Sequence, residues 1–476
     1  MAEATDSDNL RARAERLRQL ARDLTAQRTQ QSNETGASTP GTVGGAVQEP
    51  GHDDSGGNLI AVGAERGDVF EESVVSASRI AESPLDAPNS TTTITAQDIR
   101  LSGITDLPQL LRRAAGVDVI THSPGHTDIA IRGLATRQAN KVLVLLNGRT
   151  LRLDFLGAPF FSIIPVQVQD IDRIEVIRGP AAAVYGADAF SGIINIITRE
   201  PGEGRSRVYV GAGNGGALEV DASLTGRVDR LSYRFGAGYR QTENYSLYTD
   251  PNRVDLLPFN ENSLMGSQIK YANGDVRYSF GRGNVFRVGG SIADADQATI
   301  QGVGILQQMQ VNDVVFSQTH AQLNTRVGIG ARVYWNSFSG NADSYASAPG
   351  SLDAALAMRS DVLDAQLDWN REFKLVIPHN FTMGGGYRLK SADISWFGDK
   401  VQEDHGFFFV QDAMRFSEKL RGTINLRGDR HPLFGFRFSP RGSVVYRFLE
   451  GQSVRVTAGT AFRSPSFIES YLDYTN

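Results

Sequence analysis

Apolar positions change their period along this chain. In "NLRARAERLRQLARDLTAQR" (residues 9–28) Leu10, Leu17 and Leu24 recur seven apart, with Ala14, Leu20 and Ala21 on the same flank. That spacing predicts a charged amphipathic helix. Residues 30–57 are rich in Gly, Ser, Thr, Pro and Gln, a composition too polar to bury a core, and predict a flexible linker. From Ser73 to Arg199 the pattern is a compact mixture. Thr95 followed by Asp98 predicts a capped short helix. Thr105 starts a second, whose Leu107, Leu110, Leu111 and Ala114 keep helical spacing until Gly116. Short strands are predicted at Val117–Ile120, Ile129–Ile131, Lys141–Leu146, Arg173–Ile177 and Gly192–Thr198. These elements make one small α/β domain.

After Pro201 the period becomes two. Leu218, Val220, Ala222 and Leu224 share one face, the chain turns near Asp229, and Leu231, Tyr233, Phe235, Ala237 and Tyr239 share a face again. Ser232, Arg234, Gly236, Gly238 and Arg240 take the other side. The alternation returns in "DVRYSFGRGNVFRVGGSI" (Val276, Tyr278, Phe280; Phe286, Val288, Gly290, Ile292) and in "SVRVTAGTAFR" (Val454, Val456, Ala458, Phe462). Long polar stretches, 241–268 and 297–318, lie between these hairpins. A soluble β-sandwich could alternate in the same way. Short turns at one end and long polar loops at the other predict a membrane barrel, because lipid admits only closed sheets.

Composition narrows the choice. A formal net charge of -5 leaves no basic footprint for nucleic acid. There is no cysteine, which excludes disulfides, thiolate zinc sites and cysteine nucleophiles. No stretch approaches the ~20 apolar residues of a membrane helix. The mean hydropathy of -0.26 excludes no barrel, since alternation cancels in a window average. The N-terminus lacks the apolar core of a secretory signal, and a removed or replaced signal is the preferred reading.

Two motifs imitate nucleotide sites and fail in context. Arg178-Gly179-Pro180 with Tyr185-Gly186 lacks the Gly-Lys-Ser/Thr of a phosphate loop. "GAGNGG" (residues 211–216) spells a dinucleotide fingerprint but precedes an alternating strand instead of a helix. No Ser/His/Asp arrangement follows from spacing, and the seven histidines are scattered. No enzyme, cofactor or resident metal is expected.

The segments "ITDLPQLLRRAAGVDV", "IAIRGL", "VLVLLNGRTL", "IDRIEVIRGPAAAVYGADAFSGIINIITR" and "FRSPSFIESY" occur in this order. From about Phe70 to the end the chain thereby resembles the TonB-dependent outer-membrane receptors. Ala182 departs from the family, which usually has a small hydroxyl residue there. The resemblance implies an α/β plug domain inside a transmembrane antiparallel β-barrel, preceded here by the helix and disordered linker. It also implies an outer-membrane importer of scarce ligands such as ferric siderophores or cobalamin, driven by a TonB-type inner-membrane energy transducer. A ligand-binding sensor or adhesion receptor without transport is the alternative.

On this reading residues 1–66 are helix and linker, 67–78 the energy-coupling segment, 79–202 the plug and 203–476 a partial barrel. The coupling segment is placed at Glu72, Ser73, Val74, Val75, Ser76 and Ala77, extended and β-prone enough to add to a partner's sheet. Val74 and Val75 starting the plug is the competing reading. The plug motif comprises Arg132, Gly133, Asn147, Gly148, Arg178, Gly179, Pro180, Tyr185, Gly186, Gly192 and Asn195. Its glycines turn the chain and allow close backbone approach, and Arg132 and Arg178 are expected to pair with acidic residues. His122, His126, Asp128 and Arg137 are the candidate ligand contacts. Arg234, Arg240 and Arg463 would attract an anionic chelate or else tie down the plug. At ~9–11 residues per membrane strand, the region after Pro201 supplies roughly ten to twelve strands. The family barrel has about twenty-two, so the sheet is expected to be incomplete, with an unpaired edge.

Overall fold

A computed structural model describes Val74 and residues 83–123, 125–134, 141–242, 266–296, 298–301, 308–344 and 356–472, all within the compact unit Ser55–Asn476. The expected helix at 9–28, the linker at 30–57, Glu72, Ser73, Val75, Ser76, Ala77 and Arg137 lie outside these residues.

The first region is built on a five-stranded sheet in the order β1 (Ser90–Thr95), β6 (Ile171–Arg178), β7 (Gly192–Thr198), β4 (Val142–Leu146) and β5 (Arg149–Thr150). β4 and β7 run parallel, and the other pairs antiparallel. Every residue of β7, GIINIIT, is buried, as expected for a strand covered on both faces. Ile194 and Ile196 join a core with Ile94, Leu110 and Leu111. Ile193 joins a second, with Leu143, Leu145, Ile177 and Val74. Helix α1 (Ala96–Ser102) opens with the expected Thr95–Asp98 capping box and ends at Gly103 in the left-handed region, worth about 1 kcal/mol at the cap. Helix α2 (Leu107–Leu111) starts two residues later than expected, because Asp106 takes the extended N-cap geometry ahead of Pro108. A hairpin of β2 (Val117–Ser123) and β3 (His126–Ile131) stands apart from the sheet.

The second region is one antiparallel sheet. Thirteen strands follow a continuous path from β8 (Arg207–Gly213) and β9 (Ala217–Val228) to β20 (Gly435–Leu449) and β21 (Gln452–Gly459), while short β13 (Ala298–Gln301) pairs off the path with β14 (Gln308–Asn324). Ten to twelve strands were expected. The excess arises where polar sequence is strand: residues 308–318, read as loop, begin β14. Conversely, β21 stops at Gly459, so Phe462 and Arg463 are not strand residues. Among the described residues β8 pairs only with β9 and β21 only with β20, and the sheet is open between them.

The predicted alternation holds across the wall. Leu218, Val220, Leu224, Phe235, Tyr278, Phe286, Val288, Ile292, Val454 and Val456 are exposed on one face. Ser232, Arg234, Asp275 and Arg287 are buried on the other, against the first region. Tight turns with positive φ at Asp229, Gly281 and Gly283, Gly328 and Gly451 serve one end. No helix among the described residues is long and apolar enough to cross a membrane.

Candidate functional site

The loop from β6 to β7 is closed by main-chain bonds. Gly179 N donates to Ser191 O (2.9 Å), Ala181 N to Ala189 O (3.0 Å) and Ser191 N to Lys141 O (2.9 Å), around the short helix α3 (Ala182–Tyr185). Gly186 needs its glycine: φ is +86°, and a Cβ would lie 2.6 Å from Arg427 Nη2 of the wall. At Gly192 a Cβ would strike the Ile177 carbonyl and Ile131 Cδ1. Asn147 holds the neighbouring turn. Its Nδ2 donates to Thr198 Oγ1 and its Oδ1 accepts from Thr198 N (both 2.9 Å), while Gly148 N donates to Asn195 Oδ1 (3.1 Å). Gly133, φ +69°, donates to Asp118 Oδ2, Pro180 is exposed and Tyr185 packs on the second core. These bonds and close contacts fix the loop as a stopper, and its Tyr185 and Asp188 border a small cavity together with Arg152, Arg388 and Arg427.

The pairing of Arg178 differs from expectation. Arg178 donates to Ala115 O (2.7 Å) and Thr92 Oγ1 (2.8 Å), because strand β1 and the turn after α2 put hydroxyl and carbonyl oxygens beside it. Burial and the charge of Arg132 pull its pKa down. Arg132 is at φ +58°. Of the lumen candidates, Arg234 donates to Arg199 O (2.6 Å) and Thr198 Oγ1 (3.0 Å), tying wall to plug. Arg240 faces Glu219 at 3.5 Å, and Arg463 meets Glu469 at 2.5 Å in its own segment.

Buried ties between the two regions centre on Arg152, Asp154 and Lys390, outside the quoted family segments, and reach Asp188 and Ser464 within them. Arg152 reaches Asp188 (2.5 Å), Asp154 (3.3 Å) and Ser464 O (3.0 Å), and Lys390 of β17 (Pro378–Ile394) donates to Asp154 Oδ1 at 2.7 Å. Burial alone would raise the Asp154 pKa, but the charges of Lys390 and Arg152 overrule it and bring it down to about 2. After β21 the chain folds inward, with Ser464 N on Asp188 Oδ1 and Phe467 N on Asp154 O. There helix α4 (Phe467–Tyr471) buries Phe467 and Ile468. A second knot joins Arg287 to Glu200 (3.0 Å) and Asp275 (2.6 Å). Beside it, burial with the Arg287 and Arg332 charges lowers Arg149 to about 9 against the opposing pull of Asp275. Lower down, Arg455 and Thr457 donate to carbonyls of Pro84, Ala87, Pro88 and Asn89. These contacts, spanning up to several hundred residues, leave no signal in local sequence.

Three of the four candidate ligand contacts do meet. His122 Nε2 lies 3.0 Å from Asp128 Oδ2, His126 Nε2 lies 3.5 Å from Oδ1, and the two rings are 4.9 Å apart. Burial pushes the Asp128 carboxyl up, and the hydrogen bonds and charges of His126 and His122 hold it below the usual range. The hairpin tip at Gly125 and Thr127 also borders a cavity of about 420 Å³, shared with Asp106, Ser162, Glu219 and Arg240. Val74 is fully buried in the second plug core.

A mixed sheet tied by buried ion pairs to the inner face of a long antiparallel sheet, whose outer face is apolar and exposed, defines a plugged β-barrel receptor. Residues 83–193 match the TonB-dependent receptor plug domain and residues 251–476 the TonB-dependent receptor-like β-barrel. The chain belongs to the TonB-dependent receptors. It is 28 % identical over 424 residues to the vitamin B12 transporter BtuB of Vibrio vulnificus, covering 85 % of this chain and 64 % of that one. To BtuB of Photobacterium profundum it is 24 % identical over 393 residues, covering 79 % and 60 %. The chain thus spans somewhat under two thirds of these relatives. The siderophore receptor PirA from Pseudomonas aeruginosa shares the fold with TM-score 0.58 at 20 % identity, covering 79 % of this chain and 65 % of that one. A mutant of the ferric enterobactin receptor PfeA from the same organism, in complex with enterobactin, gives 0.62 at 18 %, covering 79 % and 63 %. The family is one of receptors, not enzymes.

Proposed function

We propose that the protein works in the outer membrane as an energy-coupled importer of a scarce chelate of the ferric siderophore or cobalamin type. The outer face of apolar side chains fits lipid. A TonB-type inner-membrane transducer pulls on Glu72–Ala77, and His122, His126, Asp128 and Arg137 contribute to ligand contact on the outer side.

The observation that carries this reading is the tie between plug and wall. Asp154, Asp188 and Glu200 of the plug are buried in ion pairs, with Lys390 and Arg287 of the wall among their partners. Breaking a buried pair costs about 3–5 kcal/mol, and nanomolar capture of a ligand adds ~12 kcal/mol to be overcome on release. Passage therefore requires work, and a pulled segment supplies it.

The test is uptake of labelled ferric siderophores and cobalamin by cells producing the receptor, with and without Val74→Pro and Ser76→Pro. Proline removes a main-chain donor and blocks strand addition. Binding that persists while uptake vanishes supports import. Unchanged uptake in both variants refutes the coupling segment, and binding without any energy-dependent uptake by the parent receptor favours a sensor.

A further inference from the structure

The geometry points to a low-affinity site for a borderline-soft divalent cation, of the Zn²⁺, Ni²⁺ or Cu²⁺ class, formed by Glu403, His405 and His431 on the inner wall. Glu403 and His405 are two apart on β18 (Val401–Arg415) and so share its inward face. His431 ends the adjacent strand β19 (Leu420–His431). One ligand atom from each of the three residues lies within 4.8 Å of the others. The two imidazoles meet edge to face at 4.6 Å. His405 Nε2 is 2.8 Å from Glu403 Oε2, and His431 Nε2 is 4.0 Å from the same oxygen. Glu403 Oε1 is engaged separately by the Tyr471 hydroxyl at 3.0 Å, which orients the carboxylate and leaves Oε2 turned toward the histidines.

Room exists for an ion. Beside the cluster, His405 and His431 border a small cavity of about 30 Å³, together with Asp429 and the basic side chains Arg388, Lys390, Arg427 and Arg430. That is enough for a single water or ion. Two imidazole nitrogens and one carboxylate oxygen, with a further position left for water, suit zinc, nickel or copper. Calcium and magnesium, which need shells of oxygen, are poorly served.

Two features keep the affinity low. His431 Nδ1 accepts from Leu433 N (3.2 Å) while its Nε2 donates to Ser464 Oγ (2.8 Å). The resting tautomer therefore carries its proton on the nitrogen that would bind the ion. On binding, the His431 imidazole stays neutral and its proton moves from Nε2 to Nδ1, which forces the Leu433 amide to swing away. Lys390, paired with Asp154, and Arg388, Arg427 and Arg430 also border the cavity and add competing positive charge. A site that binds weakly both loads and unloads, as a position along a passage must.

Copper EPR on the full chain without an affinity tag, folded in detergent micelles and stripped of metal, tests this. A single Cu²⁺ signal split by two nitrogens is expected, displaced by Zn²⁺, lost in His405→Gln/His431→Gln and kept in His122→Gln/His126→Gln. Should the double substitution unfold the chain, Glu403→Gln decides, since it keeps both imidazoles; weakened copper binding with unchanged heat-modifiable migration supports the site. A copper signal that survives His405→Gln/His431→Gln, one that follows His122 and His126, or binding indifferent to Glu403→Gln would overturn it.

Discussion

Lys390 Nζ donates to Asp154 Oδ1 at 2.7 Å, a bond between barrel wall and plug across 236 residues of sequence, with both side chains about 5 % exposed. Removing one partner strands the other charge in a buried place, so Lys390→Ala is expected to destabilise the docked plug by roughly 3–5 kcal/mol. The double change Lys390→Met/Asp154→Leu should recover much of that loss. Urea midpoints for exposure of the plug, measured as a double-mutant cycle in detergent, check both outcomes, and equal losses in single and double variants would contradict the pairing.

The same carboxylate sets an acid limit. Its folded pKa of about 2 lies below the ordinary 3.8. The stabilisation is complete above pH 3.8 or so and disappears as the pH falls toward 2. Protection of the amides in residues 152–158, taken relative to their intrinsic exchange rates at each pH, should therefore hold at about pH 5 and fall between roughly pH 4 and 2. Loss of protection already near pH 6, about where an ordinary imidazole titrates, would assign the transition to histidines instead.

The two loop glycines should respond unequally to alanine. Gly192→Ala meets the backbone carbonyl of Ile177, which cannot yield without moving β6, so overpacking of about 1–3 kcal/mol or more is expected. Gly186→Ala meets the Arg427 guanidinium at 2.6 Å and carries the strain of a positive φ. Its neighbour is a side chain that can move, so its cost should be smaller and should include loss of the Arg427 contact with the plug. Protease resistance of the plug ranks the two.

On the outer face, Val288 is 44 % exposed in the middle of β12 (Asn284–Asp296), whereas Arg287 beside it is buried in the knot with Glu200 and Asp275. Val288→Arg is expected to cost ~2–4 kcal/mol in lipid and little in the polar reference state. Folding yield into vesicles should fall for Val288→Arg, and also for Arg287→Val, but for opposite reasons. Only the second should loosen the plug.

Local chemistry was legible in the chain. Alternation in residues 217–240 assigned the faces of β9 and β10 (Leu231–Thr242) because side-chain direction in a strand depends only on parity. Thr95 and Asp98 marked a helix start because a capping box closes within four residues. The glycines of the 179–192 loop marked tight backbone for the same local reason. What tertiary structure alone decided was who faces whom. The partners of Arg178 turned out to be a carbonyl and a hydroxyl, Arg234 turned to the plug, Asp154 met Lys390, and Glu403 met two histidines and Tyr471. Each of those contacts depends on which strand stands beside which plug loop. That is fixed by packing and register summed over the whole sheet, and no short window of sequence contains it.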